Sequence, residues 1–168
     1  AALDATLAHD FDAIALPNPS AADVVMAEAH VTEAWAQGTK MWRLVVFGSA
    51  GTLADAQSLA GVNDYRVVVA AHRNARSLPC EIAASVASLA FSSEAPNFNY
   101  DCEAVPLYGA DTADAWTVPE IEALLQAGVS PLSVSDQRPD RVLVEKLVTT
   151  QVETDGVPDL SKRDIAVP

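Results

Sequence analysis

The stretch MWRLVVFGSAGTLADAQSLAGVNDYRVVVAAH, from Met41 to His72, decides the fold class. Its first part, MWRLVVFGS, is apolar almost throughout, which is typical of a strand buried on both faces. GTLADAQSLAG predicts a short helix that is capped by Thr52 with Asp55 and that ends at Gly61. DYRVVVAAH predicts another buried strand. A helix between two buried strands indicates a strand–helix–strand unit with parallel strands.

The residues before this unit repeat the same alternation. FDAIALP, from Phe11 to Pro17, predicts a short strand that ends at a proline. Ser20 is a suitable N-cap residue for a helix that would end at Gly38. The apolar residues of this helix recur at helical spacing, which predicts one buried face: Val24, Ala27, Val31, Ala34 and Trp35.

The residues after the unit add two helices and a hairpin. SLPCEIAASVASLAF predicts a helix with Pro79 in its first turn. The connection from Ser92 to Trp116 has no clear period, apart from one short strand near 104–107, and loops of this length are often functional or belong to a contact surface. Thr117 and Glu120 form a second capping box, and Gly128 is placed to end that helix.

PLSVS and RVLVEKLVTT predict two strands joined by a turn-rich link. The segment from Gln151 to Pro168 shows no core element. We therefore predict one α/β domain over residues 1–168, with a mixed β-sheet flanked by helices in a layered sandwich. The first part of the sheet is expected to be parallel, and the C-terminal hairpin is expected to add antiparallel strands.

The charge of the chain limits its partners. The formal net charge is −13, and the stretch from Ser77 to Gln137 has nine acidic residues and no Lys or Arg. Such a surface repels nucleic acid and anionic membranes, so neither is expected as a partner. Basic residues cluster at two places, which makes them candidate subunit contacts that meet an acidic neighbour: Arg73, Arg76, Arg138 and Arg141. The alternative is that these four are solvated loop charges.

One stretch has parts of a phosphate-binding site. In VVFGSAGTLAD, a buried strand, a glycine-containing loop and a helix N-terminus follow one another, and backbone N–H groups there could hold an anion. However, Gly48 and Gly51 do not form G-x-G-x-x-G, and no Walker lysine follows. Ser49 does not fit a nucleophile elbow either. A small α/β enzyme or nucleotide-binding module that uses the Gly48–Thr52 turn is kept as the alternative function.

Other candidate groups are weaker. HDFD, at 9–12, and DCE, at 101–103, contain metal-ligand types, but neither has a known zinc spacing. Cys80 is expected to be a small core residue, and His30 an exposed helix residue with Glu33 as a possible partner. Trp116 is expected to pack on Ile121 as a hydrophobic staple. We predict no catalytic, cofactor or metal site, and no enzymatic activity.

The order and spacing of the elements carry a resemblance to a known family. EIEALLQAGVSPLSV followed by RVLVEKLVTTQ resembles the sheath protein of contractile phage tails, in the form found in Mu-like phages, where a helix E-x-x-x-L-L-x-x-G-[VI] leads into a strand and a later strand ends [VI]-x-[RK]-x-[VI]-T-T. FDAIALPNPSAADVVMAEAHVTEAW, GTLADAQSLAG and LPCEIAASVASLAFSSEAPNFNY are similar to earlier parts of that family. The resemblance extends from about Phe11 to Asp159.

The resemblance implies a structural subunit of a contractile tail sheath. Such subunits polymerise helically around a tail tube and contract to drive the tube through the host envelope during genome delivery. The implied partners are other copies of the chain, the tail tube protein, and the baseplate and tail terminator proteins. The implied location is the virion tail, assembled in the bacterial host cytoplasm. The chain is then expected to be a fragment of a larger subunit, without its C-terminal inner domain and arm.

Overall fold

The computed structural model describes residues 3, 6–7, 13–36, 43–91, 102–107, 114–135, 138–154 and 157–158. The helices among these residues are α1 (Ala21–Ala36), α2 (Leu53–Leu59), α3 (Pro79–Ala90) and α4 (Val118–Gln126). The strands are β1 (Ala13–Ala15), β2 (Leu44–Ser49), β3 (Val67–His72), β4 (Ala104–Val105), β5 (Val129–Ser135), β6 (Arg138–Val144), β7 (Glu153–Thr154) and β8 (Val157–Pro158).

Six of the strands form one mixed sheet in the order β1-β2-β3-β5-β6-β4. The strands β1, β2, β3 and β5 are parallel to one another, whereas β6 is antiparallel to β5 and β4 is antiparallel to β6. This confirms the predicted fold class, including the parallel first part and the antiparallel hairpin. The strands β7 and β8 form a separate small hairpin in the segment where no core element was expected.

Helices cover both faces of the parallel part of the sheet. The helix α3 packs on one face, and its apolar cluster includes Val46, Val68 and Ile82. The other three helices contribute to the cluster on the opposite face. Along the chain, β1, β2, β3 and β5 follow one another across the sheet in a single direction. Since the crossover connections between parallel strands are right-handed, α1, α2 and α4 lie on the same side of the sheet. Every residue of β2 and β3 is consequently buried, as their apolar sequences predict.

Local capping signals set the helix ends. The carboxylates of Asp23 and Asp55 each accept hydrogen bonds from the backbone N–H and the hydroxyl of a residue three positions earlier, Ser20 and Thr52 respectively. Glu120 makes the same pair of bonds with Thr117 at the start of α4. These contacts confirm the three predicted helix starts.

Gly128 has a φ of +76° directly after the end of α4. A left-handed residue at this position is the usual way to stop a helix, because glycine adopts it without the steric penalty of a side chain. A Cβ at Gly128 would also lie 2.8 Å from the Cα of Thr150. The predicted glycine stop is confirmed, and the close approach of the chain after β6 gives a second reason for glycine.

Gly48 lets α3 approach the sheet closely. A Cβ on Gly48 would lie 2.0 Å from the carbonyl oxygen of Pro79 and 3.0 Å from the Cβ of Ile82. The first turn of α3 therefore rests directly on the backbone of β2.

The C-terminal strand is shorter than predicted. The apolar pattern of RVLVEKLVTT continues to Thr150, but β6 ends at Val144. The residues 147–150 are nevertheless buried, and they are held by side-chain and single backbone bonds. The Ser130 hydroxyl donates to the carbonyl oxygen of Val148, and the N–H of Thr150 donates to the carbonyl oxygen of Val67. The apolar pattern of residues 147–150 thus reflects their burial, although they do not continue the β-ladder of β6.

Several predicted single residues have defined environments. Trp116 is buried and belongs to the same apolar cluster as Ile121, in agreement with the predicted staple. Cys80 is only half-buried, so its assignment to the core was wrong, because it lies in the first turn of α3 near solvent. Cys102 is exposed, and both thiols are free.

Candidate interaction surfaces

Three of the four predicted contact residues have their backbones at the edge of the sheet where the parallel strands end. Arg73 and Arg76 follow β3 directly. Arg138 begins β6 and is paired in register with Ser135 at the end of β5, and β5 lies beside β3. The topology therefore brings the backbones of Arg73, Arg76 and Arg138 to one edge. Arg141 lies further along β6 and is exposed.

Arg73 is used inside the domain. Its Nη1 lies 2.7 Å from the Glu120 carboxylate, and its guanidinium lies 5.4 Å from the centre of the Trp116 ring. The Trp116 indole N–H in turn points to the carbonyl oxygen of Ala71 at 3.4 Å. These contacts fasten the start of α4 to the end of β3.

The Glu120 carboxyl is held in its ionised form at this point. Hydrogen bonds from the backbone N–H and the hydroxyl of Thr117, with a smaller contribution from Arg73, lower the pKa of Glu120. A lowered carboxyl pKa means that this set of contacts weakens when acid protonates the group.

Arg76 and Arg141 are exposed, and neither forms an ion pair within the residues that the structure describes. The side chain of Arg138 lies outside the described part. Their role as subunit contacts stays a prediction.

The Gly48–Thr52 turn is filled by groups of the chain itself. The carbonyl oxygen of Pro79 occupies the space beside Gly48, and the Asp55 carboxylate occupies the space beside Gly51. Asp55 also accepts a hydrogen bond from the backbone N–H of Thr52, and a bound phosphate would need that same donor. A second anion at this position would be repelled by the carboxylate, so the geometry disfavours a phosphate cradle.

Neither of the two weak metal candidates forms a site within the described residues. The residues 9–12 and Asp101 lie outside the described part of the chain. Cys102 and Glu103 are described, and both are exposed. Over the described ranges, no three His, Cys, Asp or Glu side chains come close enough to hold a metal ion.

His30 is buried, so the expectation of an exposed histidine was wrong. Its Nε2 lies 3.0 Å from Nη1 of Arg43 and 3.3 Å from the hydroxyl oxygen of Thr6. Arg43 is itself fully buried at the start of β2. The spacing of α1 alone could not reveal this cluster, because Arg43 and Thr6 come from other parts of the chain.

A second buried polar cluster joins β3 to α1. Arg66 and Asp64 are both buried and form an ion pair at 2.7 Å. Arg66 also donates to the carbonyl oxygen of Val31 and to the hydroxyl of Thr32. Buried charges need such complete pairing, so the cluster is a structural fastening.

His72 closes β3 with a buried ring. The residue is 2% exposed, and neither ring nitrogen has a hydrogen-bond partner among the described residues. Burial lowers the pKa of His72, because a charged imidazolium would lose its hydration there. The sequence gives no sign of this, since His72 is merely the last residue of an apolar strand.

The outward face of α1 is largely apolar, although no other part of the described chain covers it. We use "outer face of α1" for its exposed residues on the side away from the sheet: Ala22, Val25, Met26, Ala29, Thr32, Glu33 and Ala36. Val25 is 56% exposed and Met26 is 55% exposed. A surface helix normally carries polar residues on this side. Among the described helices, α1 included, none is long and apolar enough to cross a membrane.

Comparison with protein-family models gave no match, and comparison with curated proteins gave none either. Comparison with solved structures gave clear matches. A sheath tail protein of Desulfitobacterium hafniense is 19% identical, with a TM-score of 0.70, over 97% of this chain and 37% of that chain. A sheath tail protein of Listeria innocua is 18% identical, with a TM-score of 0.65, over 96% of this chain and 35% of that chain. The chain therefore has the fold found in sheath tail proteins, and the resemblance predicted from the sequence is confirmed at the level of the fold.

Proposed function

We propose that this chain is a structural part of a tail sheath subunit and has no enzymatic role. The observation that carries the proposal is the fold, which matches two sheath tail proteins over almost the whole chain. The order and spacing of the elements in the sequence also resemble that family. The filled Gly48–Thr52 turn is further support, because its geometry disfavours anion binding at the strongest candidate ligand site.

The chain spans about 37% and 35% of the lengths of the two sheath tail proteins that it matches. We propose that residues 1–168 are one domain of a larger subunit, whose further parts include an inner domain and a C-terminal arm. The activity and partners of the whole subunit are part of the same proposal.

In the proposed function, copies of the subunit assemble helically around a tail tube. A contact between two different patches generates an open helix when its rotation does not close a ring. Contraction requires two packings of the same subunits, with the contracted packing lower in free energy. The work then comes from changed contacts between copies. The tail tube, baseplate and tail terminator proteins are the other proposed partners, in a virion tail assembled in the host cytoplasm.

Electron microscopy of the full-length protein tests this function. The expected result is sleeves or tubes built from the purified protein. Particles that stay monomeric under all assembly conditions would contradict the proposal.

A thermal-shift screen separates this function from the alternative nucleotide-binding module. A tight ligand at 100 times its Kd adds about 2.7 kcal/mol to the free energy of unfolding. A sheath domain is expected to show no shift with nucleotides or divalent metals. A reproducible shift with a nucleotide, abolished by Gly51→Val, would favour the alternative.

A further inference from the structure

The outer face of α1 differs from the outward faces of the other helices. It presents Val25 and Met26 to solvent with small alanines around them, and Glu33 is its one charged residue. Helix α1 as a whole contains Asp23, Glu28 and Glu33 and has no Lys or Arg. This combination gives an apolar stripe within an acidic surrounding.

A second exposed surface lies at the edge of the sheet where β3 ends, in the loop that leads to α3, and the Glu81 carboxylate accepts a hydrogen bond from the backbone N–H of Leu78 there. Leu78, the residue before α3, is 58% exposed. Arg76 is exposed two positions earlier and forms no ion pair within the described residues. This loop therefore offers one apolar side chain beside one cation. The loop precedes α3, whereas α1 packs on the other side of the sheet.

We propose that the outer face of α1 on one copy binds the Arg76–Leu78 loop of the next copy. Leu78 packs between Val25 and Met26, and Arg76 lies beside the carboxylates of α1. The contact would combine an apolar pairing with an electrostatic pairing of a cation and an acidic helix, and the residues for both pairings are exposed in the described part of the chain. The inference rests on the proposed function, because it names the contact that joins copies of the subunit.

The position of the two patches decides the kind of assembly. A symmetric dimer would have to make this contact twice between the same two copies. Here the loop leads into α3 on one side of the sheet, whereas α1 packs on the other side, which favours a contact with two different neighbours. In such an assembly, one patch stays unoccupied at each end, the outer face of α1 at one end and the Arg76–Leu78 loop at the other. Such a head-to-tail contact continues through many copies and is suited to a sleeve.

The test uses the full-length protein with matched substitutions of exposed apolar residues. Val25→Glu and Met26→Glu place a carboxylate where Leu78 would pack. Val118→Glu is the control, because Val118 is 70% exposed on α4, outside both patches. We expect each α1 variant to raise the critical concentration for tube assembly at least about tenfold, the factor that corresponds to 1.4 kcal/mol. Val118→Glu should assemble like the unaltered protein.

A compensating pair tests the partner residue directly. Leu78→Lys alone should also weaken assembly. Met26→Glu combined with Leu78→Lys should return the critical concentration to within about threefold of the unaltered value, because the new charges attract across the contact. Melting temperatures of the unassembled variants verify folding, and the rescue excludes a folding defect as the cause.

Labelling of a Val25→Cys variant identifies what covers the helix. A maleimide should modify this cysteine in unassembled protein and fail to do so in tubes, with the site located by mass spectrometry. Protection already in the unassembled protein would mean that another part of the same chain covers α1, and would overturn the inference. Tubes formed equally well by Val25→Glu and Val118→Glu would also overturn it, while the proposed function would stand. Absence of tubes from the unaltered protein would overturn both.

Discussion

The close approach of α3 to β2 at Gly48 gives a quantitative prediction for Gly48→Ala. The added Cβ would lie 2.0 Å from the carbonyl oxygen of Pro79, and an ordinary contact begins at 3.4 Å. The first turn of α3 must therefore retreat by about 1.4 Å, a distance at which packed atoms lose a large part of their attraction. We expect Gly48→Ala to lower the free energy of unfolding by about 3 kcal/mol, the upper end of the usual cost of overpacking.

Gly61→Ala is the matched control for this prediction. A Cβ at Gly61 would meet its nearest atom, the carbonyl oxygen of Ser58, at 3.8 Å. The same added methyl group should therefore be neutral there, or stabilising by up to about 1 kcal/mol.

Urea denaturation followed by circular dichroism measures both variants. With a slope of about 2 kcal/mol per molar urea, Gly48→Ala should lower the midpoint by about 1.5 M and leave the slope unchanged. Midpoints for the two variants within about 0.25 M of each other, at the same slope, would refute the packing argument.

Three further predictions concern other positions. Asp64→Asn should lower the free energy of unfolding by about 3–5 kcal/mol, because the buried Arg66 guanidinium loses its counter-charge; Arg66→Met added to it should recover part of this loss in the same urea assay. His72 has a lowered pKa in the folded protein, so the unfolded chain takes up a proton first, and stability should fall as the pH drops below the ordinary value of 6.5. The loss should be about 1.4 kcal/mol per pH unit until the folded state also binds the proton, and the slope should be smaller in His72→Leu. Gly128→Ala should destabilise by at least about 1 kcal/mol, the cost of a side chain at a left-handed position, with more from the contact with Thr150; an unchanged melting temperature would contradict the assignment of Gly128 as the helix stop.

The helix ends and the buried strands could be predicted because their signals are local. A capping box such as Thr52 with Asp55 is complete within four residues, and so is the proline-and-glutamate start of α4. The two central strands were recognisable because a run of apolar residues has to be buried on both sides. These features need no knowledge of how distant parts of the chain meet.

The buried polar clusters could not be predicted for the opposite reason. His30 was expected in solvent because only its neighbours on α1 were considered, and the residues that surround it come from 13 and 24 positions away in sequence. The crowding at Gly48 depends on Pro79, which belongs to another helix. The order of strands in the sheet is likewise set by long-range packing, and alternation of elements alone does not determine it.

For the candidate contact residues, too, the sequence showed the local signal but not the long-range contacts. The four arginines cluster in the sequence, but the sequence could not show that Arg73 is already engaged by Glu120. The sequence predicted one buried face of α1. Trp35 is 46% exposed, so its assignment to that face was wrong, whereas the other four members are buried. The second apolar side of α1 became visible only when the packing of α1 against the sheet fixed which residues point outward.

The covering of β2 and β3 on both sides determines how the domain can respond to load. A sheet that is covered by helices on both faces cannot bend without breaking close packing contacts in its core. A force applied at one patch is therefore transmitted across the domain with little deformation of β2 and β3. In the proposed sheath, displacement between neighbouring copies would then take place in the loops and at the joints between domains. Amide protons of β2 and β3 are accordingly expected to exchange slowly, both in assembled and in separate copies. Their exchange rates would measure the free energy needed to open this part of the sheet.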